Sequence, residues 1–155
     1  MLPEITWDTT YPIRKVIDPK KIEDMLLPGI TVRIRPIGNS MLPLIHAGRD
    51  TVCLVKAAPE KLTVGDLVLY RRKYGALVLH RIILKKNGQF YLSGDNNFEI
   101  EGPLSPEQII GVATEITRAG RKIKTTDFLY RLYVLIWPGS RPLRRFIYAL
   151  RHHSS

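Results

Sequence analysis

Hydrophobic and polar positions change period three times along the chain. Ile22, Met25 and Leu26 fall on one helical face. Asp18 can cap that helix, Pro19 suits its first position, and Pro28-Gly29 ends it. From Ile30 the period becomes two: Ile30, Val32 and Ile34 alternate with Thr31, Arg33 and Arg35. Short strand-like runs follow at 51–55, 67–70 and 76–84, separated by Gly48-Arg49-Asp50, the polar connection 59–63, and Gly65-Asp66. Asn87-Gly88 predicts a tight hairpin that pairs 77–84 with 89–93. Gly94-Asp95-Asn96-Asn97 then reads as a polar loop, and Ser105-Pro106-Glu107-Gln108 as a capping box opening one helical turn. Ala119-Gly120 joins the runs 111–117 and 121–125 as a last hairpin. The pattern predicts a small, mostly antiparallel β-fold with minor α, partly closed like a barrel.

After Phe128 the helical period returns. An aromatic and aliphatic run to Trp137 is interrupted by Arg131. Leu143, Phe146, Ile147 and Leu150 then share a face, with Ser140 as cap, Pro142 in the first turn, and Arg144, Arg145 and Arg151 on other faces. A basic amphipathic helix with aromatics reads as a membrane-surface element spanning 128–151; a helix packed on the domain with solvated arginines is the alternative. The chain therefore divides into an arm and short helix (1–29, with 1–17 loose), a β-domain (30–126) and a basic tail (127–155).

Composition narrows this picture without redirecting it. The 155 residues are 45% hydrophobic and 25% charged, an ordinary globular balance. The lone cysteine, Cys53, excludes an intrachain disulfide and a multi-thiolate metal site, and its apolar run makes it a small buried residue. The net charge of +10 is uneven: from Arg118 onward the chain carries +8, with Asp127 its only acid, and the first 117 residues carry +2. Basicity thus belongs to the tail, and no helix-turn-helix pattern fits in the 29 residues before Ile30, which argues against a nucleic-acid module. The N-terminus lacks the pattern of a secretion signal, and no apolar stretch approaches the ~20 residues of a membrane span. The expected location is the cytoplasm or a membrane periphery.

The candidate chemistry lies in Gly38-Asn39-Ser40-Met41-Leu42-Pro43 and Leu79-His80-Arg81. Gly38 admits backbone angles other residues avoid and Pro43 stiffens the exit, which makes a seat for a nucleophile. A serine hydroxyl needs a neighbouring base to take its proton, and His80, ending a strand-like run, is the candidate. A turn serine and a satisfied, half-buried histidine are the plainer readings of each residue alone. His46 sits across a turn and reads as a surface residue; His152 and His153 lack metal-like spacing. No cofactor motif or metal site is expected.

Taken together and in order, five boxes resemble those of the signal peptidase I and LexA-type serine peptidases. They are the box around Ser40, Gly48-Arg49-Asp50 with one inserted residue, Val64-Gly65-Asp66-Leu67-Val68-Leu69-Tyr70, Leu79-His80-Arg81-Ile82-Ile83, and Gly94-Asp95-Asn96-Asn97. They cover about residues 30–116. The resemblance implies a Ser-His endopeptidase of the archaeal, endoplasmic-reticulum and spore-former kind, because His80 stands where other members have lysine. Lys85 and Lys86 fall past that strand. The resemblance also implies an acyl-enzyme route on signal or leader peptides with small residues at the first and third positions before the cut.

The family's further aspartates are replaced by Phe98-Glu99-Ile100-Glu101, so Asp95 or Glu101 is the candidate orienter of His80. Gly38 stands where many bacterial members carry an oxyanion-binding hydroxyl, so the backbone N–H of Ser40 and the side chain of Asn39 are the expected donors. Met41 and Pro43 would shape the site. The absence of an N-terminal anchor matches small soluble members. Two further readings remain open: an inactive relative that binds extended peptides, and a LexA-like self-cleaving regulator.

Overall fold

The computed structural model describes residues 19–152; the loose arm, the Asp18 cap and His153 lie outside the described residues. Eight strands form one antiparallel sheet: β1 (Val32–Ile34), β2 (Thr51–Lys56), β3 (Leu67–Arg71), β4 (Leu77–Lys86), β5 (Gln89–Ser93), β6 (Glu101–Leu104), β7 (Ile109–Arg118) and β8 (Arg121–Lys124). Their spatial order is β1-β2-β7-β3-β4-β5-β6, with β8 also paired to β7. The sheet is not closed: among the described residues β1 and β6 end the strand order, and β8 pairs with β7 alone. Among the described residues three α-helices accompany it: α1 (Pro19–Met25), α2 (Phe128–Ile136) and α3 (Arg141–His152).

The alternation along β3 and β4 decides everything near the site. Successive side chains of a strand point to opposite faces. Leu67, Leu69 and Leu79 therefore join one apolar cluster with Met41, Leu44, Ile45, Leu54 and Ile116, covered by Ile22 and Leu26 and by Tyr130 of α2. Val68, Tyr70 and Ile82 join the cluster on the other face with Phe90, Leu92, Leu104 and Ile109. The β3–β4 register pairs Val68 with His80 and Leu67 with Arg81. His80 thus shares the face of Val68 and Tyr70, and Arg81 the face covered by α2.

Local chemistry explains the turns that deliver these strands. Asn87 and Gly88 both take positive φ, 51° and 73°, as the favoured two-residue hairpin requires. At Gly65, φ is +102° and a Cβ would lie 2.9 Å from Val134 Cγ1, so α2 packs directly on the turn that opens β3. Asp50, fully buried, accepts hydrogen bonds from Arg49 Nε (2.7 Å) and from the backbone N–H groups of His46 (2.8 Å) and Ala119 (3.0 Å). It ties the segment after Ser40 to the β7–β8 turn. Burial opposes its charge, but the Arg49 guanidinium and the two N–H groups outweigh burial and hold its pKa at about 2.

Ser140 does not cap α3 as the sequence suggests. A 3-10 turn, Pro138–Ser140, precedes that helix, and Ser140 Oγ donates back to the Trp137 carbonyl at 2.7 Å. The capping box at Ser105 is present, and its Gln108 side chain accepts from the Ser105 N–H at 3.0 Å. Among the described residues no helix is long and apolar enough to cross a membrane.

Candidate active site

Ser40 lies in a turn just after β1, half-buried, between exposed Asn39 and buried Met41. Met41, Leu44 and Ile45 sink into the core and fix the turn from below. From the side it is held by the loop after β5. The Asn96 N–H donates to the Ser40 carbonyl at 2.8 Å, and Asn96 Nδ2 donates to the Asn39 carbonyl at 3.2 Å. Gly94 makes this docking possible: a Cβ there would stand 2.5 Å from Ser40 O and 2.9 Å from Ser40 Cβ.

That contact relates Ser40 to His80. In the β4–β5 ladder Arg81 pairs with Ser93. Gly94 is the next residue, one step past the end of β5, and His80 is the residue before Arg81 in β4. Gly94 has no side chain, and Ser40 occupies the space a side chain would take. The Ser40 turn is thus docked beside the end of β5, next to the His80–Arg81 segment of β4; among the described residues no hydrogen bond joins Ser40 to His80.

His80 is 3% exposed. Its Nδ1 lies 3.2 Å from the Tyr70 hydroxyl and 3.6 Å from Glu101 Oε1 at the start of edge strand β6. Burial pushes the imidazole down to about 4, and the Glu101 carboxylate only partly opposes this. Glu101 also accepts from Arg72, from Nε at 2.8 Å and from the Nη2 group. The Arg72 guanidinium holds the Glu101 carboxyl below its ordinary range, while burial and Glu101 push the Tyr70 hydroxyl upward.

Asp95, the other candidate orienter, is committed elsewhere. Its carboxylate accepts a two-pronged bond from Arg81, Nε to Oδ1 at 2.8 Å and Nη2 to Oδ2 at 2.7 Å, with both side chains 1% exposed. Tyr133 Oη donates to the same Oδ2 at 2.9 Å. The reason is the strand period: Arg81 points away from His80, and the loop turns its carboxylate to the Arg81 face. The assignment of Asp95 to His80 is corrected accordingly, and Glu101 is the carboxylate at Nδ1.

The sequence reading also missed the tail's part in this arrangement. Tyr130 Oη accepts from Arg81 Nη1 at 3.0 Å, and the Asp95 carbonyl accepts from Trp137 Nε1 at 3.1 Å and Arg144 Nη1 at 2.8 Å. Arg141 Nη2 bonds Ser93 Oγ and the Asn97 carbonyl. Tyr70 could have been found from sequence, since it shares the alternation of Val68 beside His80. The partners of Asp95 carried no local signal. Lys85 is no substitute base: it donates to the Leu62 carbonyl at 3.1 Å and lies over the Phe90 ring.

Comparison with family models, with curated proteins and with solved structures returns no match.

Proposed function

We propose that the chain is a serine endopeptidase of the signal peptidase and LexA-like type, cutting signal or leader peptides through a Ser40–His80 dyad. The observation that supports this reading is Ser40 seated on Gly94, one residue past the Ser93 that pairs with Arg81, the neighbour of His80. A dyad spread over two distant segments needs such a junction, and a turn serine without chemistry does not.

In this reading Nδ1–H donates toward the Tyr70 hydroxyl and Glu101, and Tyr70 donates to Glu101. Nε2 is then left unprotonated to take the Ser40 proton. Ser40 Oγ attacks the scissile carbonyl, and the amine leaves with the proton carried by His80. Water, deprotonated by the same imidazole, then releases the acyl group from Ser40. The Ser40 N–H and the exposed Asn39 side chain are the oxyanion donors. Glu101 offsets the charge that appears on His80 in the transition state. The substrate is bound extended along a strand edge near the Ser40 turn, adding to the sheet.

The test is incubation of the purified chain with leader and signal peptides carrying small residues before the cut, with products read by mass spectrometry. Cleavage is expected in the wild type and its loss in Ser40→Ala and His80→Ala, with circular dichroism unchanged. Full cleavage by His80→Ala would refute the dyad. Peptide retained uncut by wild type and Ser40→Ala alike would identify a peptide-binding relative instead.

A further inference from the structure

Helix α2 is apolar on two sides, with Arg131 between them. Its inner side is accounted for: Tyr130 is buried, Val134 meets Gly65, and Tyr133 and Trp137 bond the Asp95 loop. Its outer side carries Phe128, Leu129, Leu132, Leu135 and Ile136, exposed by 77, 75, 39, 75 and 59%. At about 100° per residue these five fall within an arc of roughly 120°, an unbroken apolar stripe facing away from the domain. A helix with two apolar sides needs an apolar medium on each.

Charge says what that medium is. Exposed Arg131 falls at the flank of the stripe, and exposed Arg145 follows on α3, which also presents Leu143 at 61% exposure. From Phe128 to the last residue there is no Asp or Glu. The stripe itself offers no polar group for a partner's hydrogen bonds. An apolar stripe with Arg131 at its flank and a helix beyond it that carries arginines and no acid, Asp127 at the α2 N-terminus being the one acid adjoining the stripe, is complementary to the acyl boundary and phosphates of an anionic bilayer.

We propose that α2 and α3 dock the protein on an anionic lipid surface, the stripe entering the headgroup boundary and Arg131 and Arg145 meeting the phosphates. The inner side of the same helix holds the loop whose Asn96 bonds the Ser40 turn, so docking keeps the candidate site near the lipid surface. This last consequence rests on the peptidase reading and names its partner as the membrane that carries the substrate; the docking does not depend on catalysis.

The experiment is co-sedimentation of the full chain, as wild type and as Ser40→Ala, with phosphatidylcholine vesicles with and without phosphatidylglycerol, at low and high salt. Both proteins should bind the anionic vesicles and release at high salt. Each arginine near the surface is worth roughly fivefold in partitioning, so Arg131→Glu with Arg145→Glu should weaken binding by roughly 25-fold or more. Leu129→Asp with Leu135→Asp should abolish it while leaving the thermal midpoint and cleavage of a soluble peptide unchanged. The proposal is overturned if wild type fails to bind anionic vesicles at low salt, or if both double variants bind as well as wild type. It is equally overturned if the stripe instead drives a dimer, seen by ultracentrifugation and lost in the leucine variant, without vesicle binding. Loss of vesicle binding with cleavage intact leaves the peptidase reading standing, and the converse result leaves the docking standing.

Discussion

Replacing Gly94 with alanine tests the junction between the two halves of the site more sharply than removing either half. The added methyl would lie 2.5 Å from the Ser40 carbonyl oxygen and 2.9 Å from its Cβ. Both neighbours are close to the backbone, so no flexible tip can swing aside. The carbonyl is moreover held by the Asn96 N–H at 2.8 Å. Ordinary contact requires Ser40 and the Gly94 loop to separate by on the order of 1 Å. Overpacking of this kind costs ~1–3 kcal/mol, a fall of roughly 2–4 °C in Tm for each kcal/mol. Misplacing a nucleophile by ~1 Å costs on the order of 100-fold in rate. Thermal melts and the labelling rate of Ser40 by a fluorophosphonate measure the two effects separately. Gly139→Ala is the control, because nothing lies within 4 Å of its Cβ position. A Gly94→Ala protein labelled at the wild-type rate would mean that this contact does not set the position of the nucleophile, and the dyad would lose its geometric basis.

Further expectations concern His80 and its surroundings. The imidazole titrates near 4 in the fold and near ~6.5 unfolded, so its contribution to stability is present above ~6.5 and lost as pH falls toward 4. At pH 5 the loss is about 2 kcal/mol; denaturant melts of wild type against His80→Gln should show this difference in slope, and parallel curves would refute it. The acid limb of kcat/KM should lie well below ~6.5 for the same reason. Arg72→Gln removes a nearby positive charge and frees Glu101, so that limb should move upward, whereas Glu101→Gln should move it downward and slow the reaction by roughly 10- to 100-fold. Asp95→Asn leaves Arg81 buried without its counter-charge and should cost ~3–5 kcal/mol in denaturant melts; a stable Asp95→Asn protein with a shifted pH profile would return Asp95 to the dyad.

What the sequence made legible was whatever is settled by neighbours along the chain. The Asn87-Gly88 hairpin, the period-two runs and the Gly-Asp turns are local, and the strands lie where those signals put them. Strand β6 was not legible: Gly102 and Pro103 argue against a strand, and only its pairing with β5, Phe90 to Leu104 and Leu92 to Glu101, makes it one. That pairing is also what carries Glu101 to His80, so the same long-range contact hid the carboxylate's position. The alternation in β4 did imply that His80 and Arg81 face opposite ways. It did not say over which face the Gly94-Asp95-Asn96-Asn97 loop would fold, because that depends on Tyr130, Tyr133 and Trp137, far along the chain.

The dependence of that loop on the tail bears on how the chain is divided. A boundary at residue 126 separates a β-domain from a basic tail by composition, but not by packing. The buried Arg81–Asp95 pair is closed by Tyr130 and Tyr133, and the Asp95 carbonyl is held by Trp137 and Arg144. Arg144 in turn lies over the Trp137 ring, 4.4 Å from its centre. Stripping these groups away would open a buried ion pair to water next to the loop that fixes Ser40, and an ion pair once solvated holds its geometry far less firmly. The helices after residue 127 are therefore part of what holds the Gly94-Asp95-Asn96-Asn97 loop against the Ser40 turn. Any event that shifts α2, on a lipid surface or elsewhere, acts on the candidate site through the contacts of Tyr130, Tyr133, Trp137 and Arg144, beside those of Val134 and Arg141.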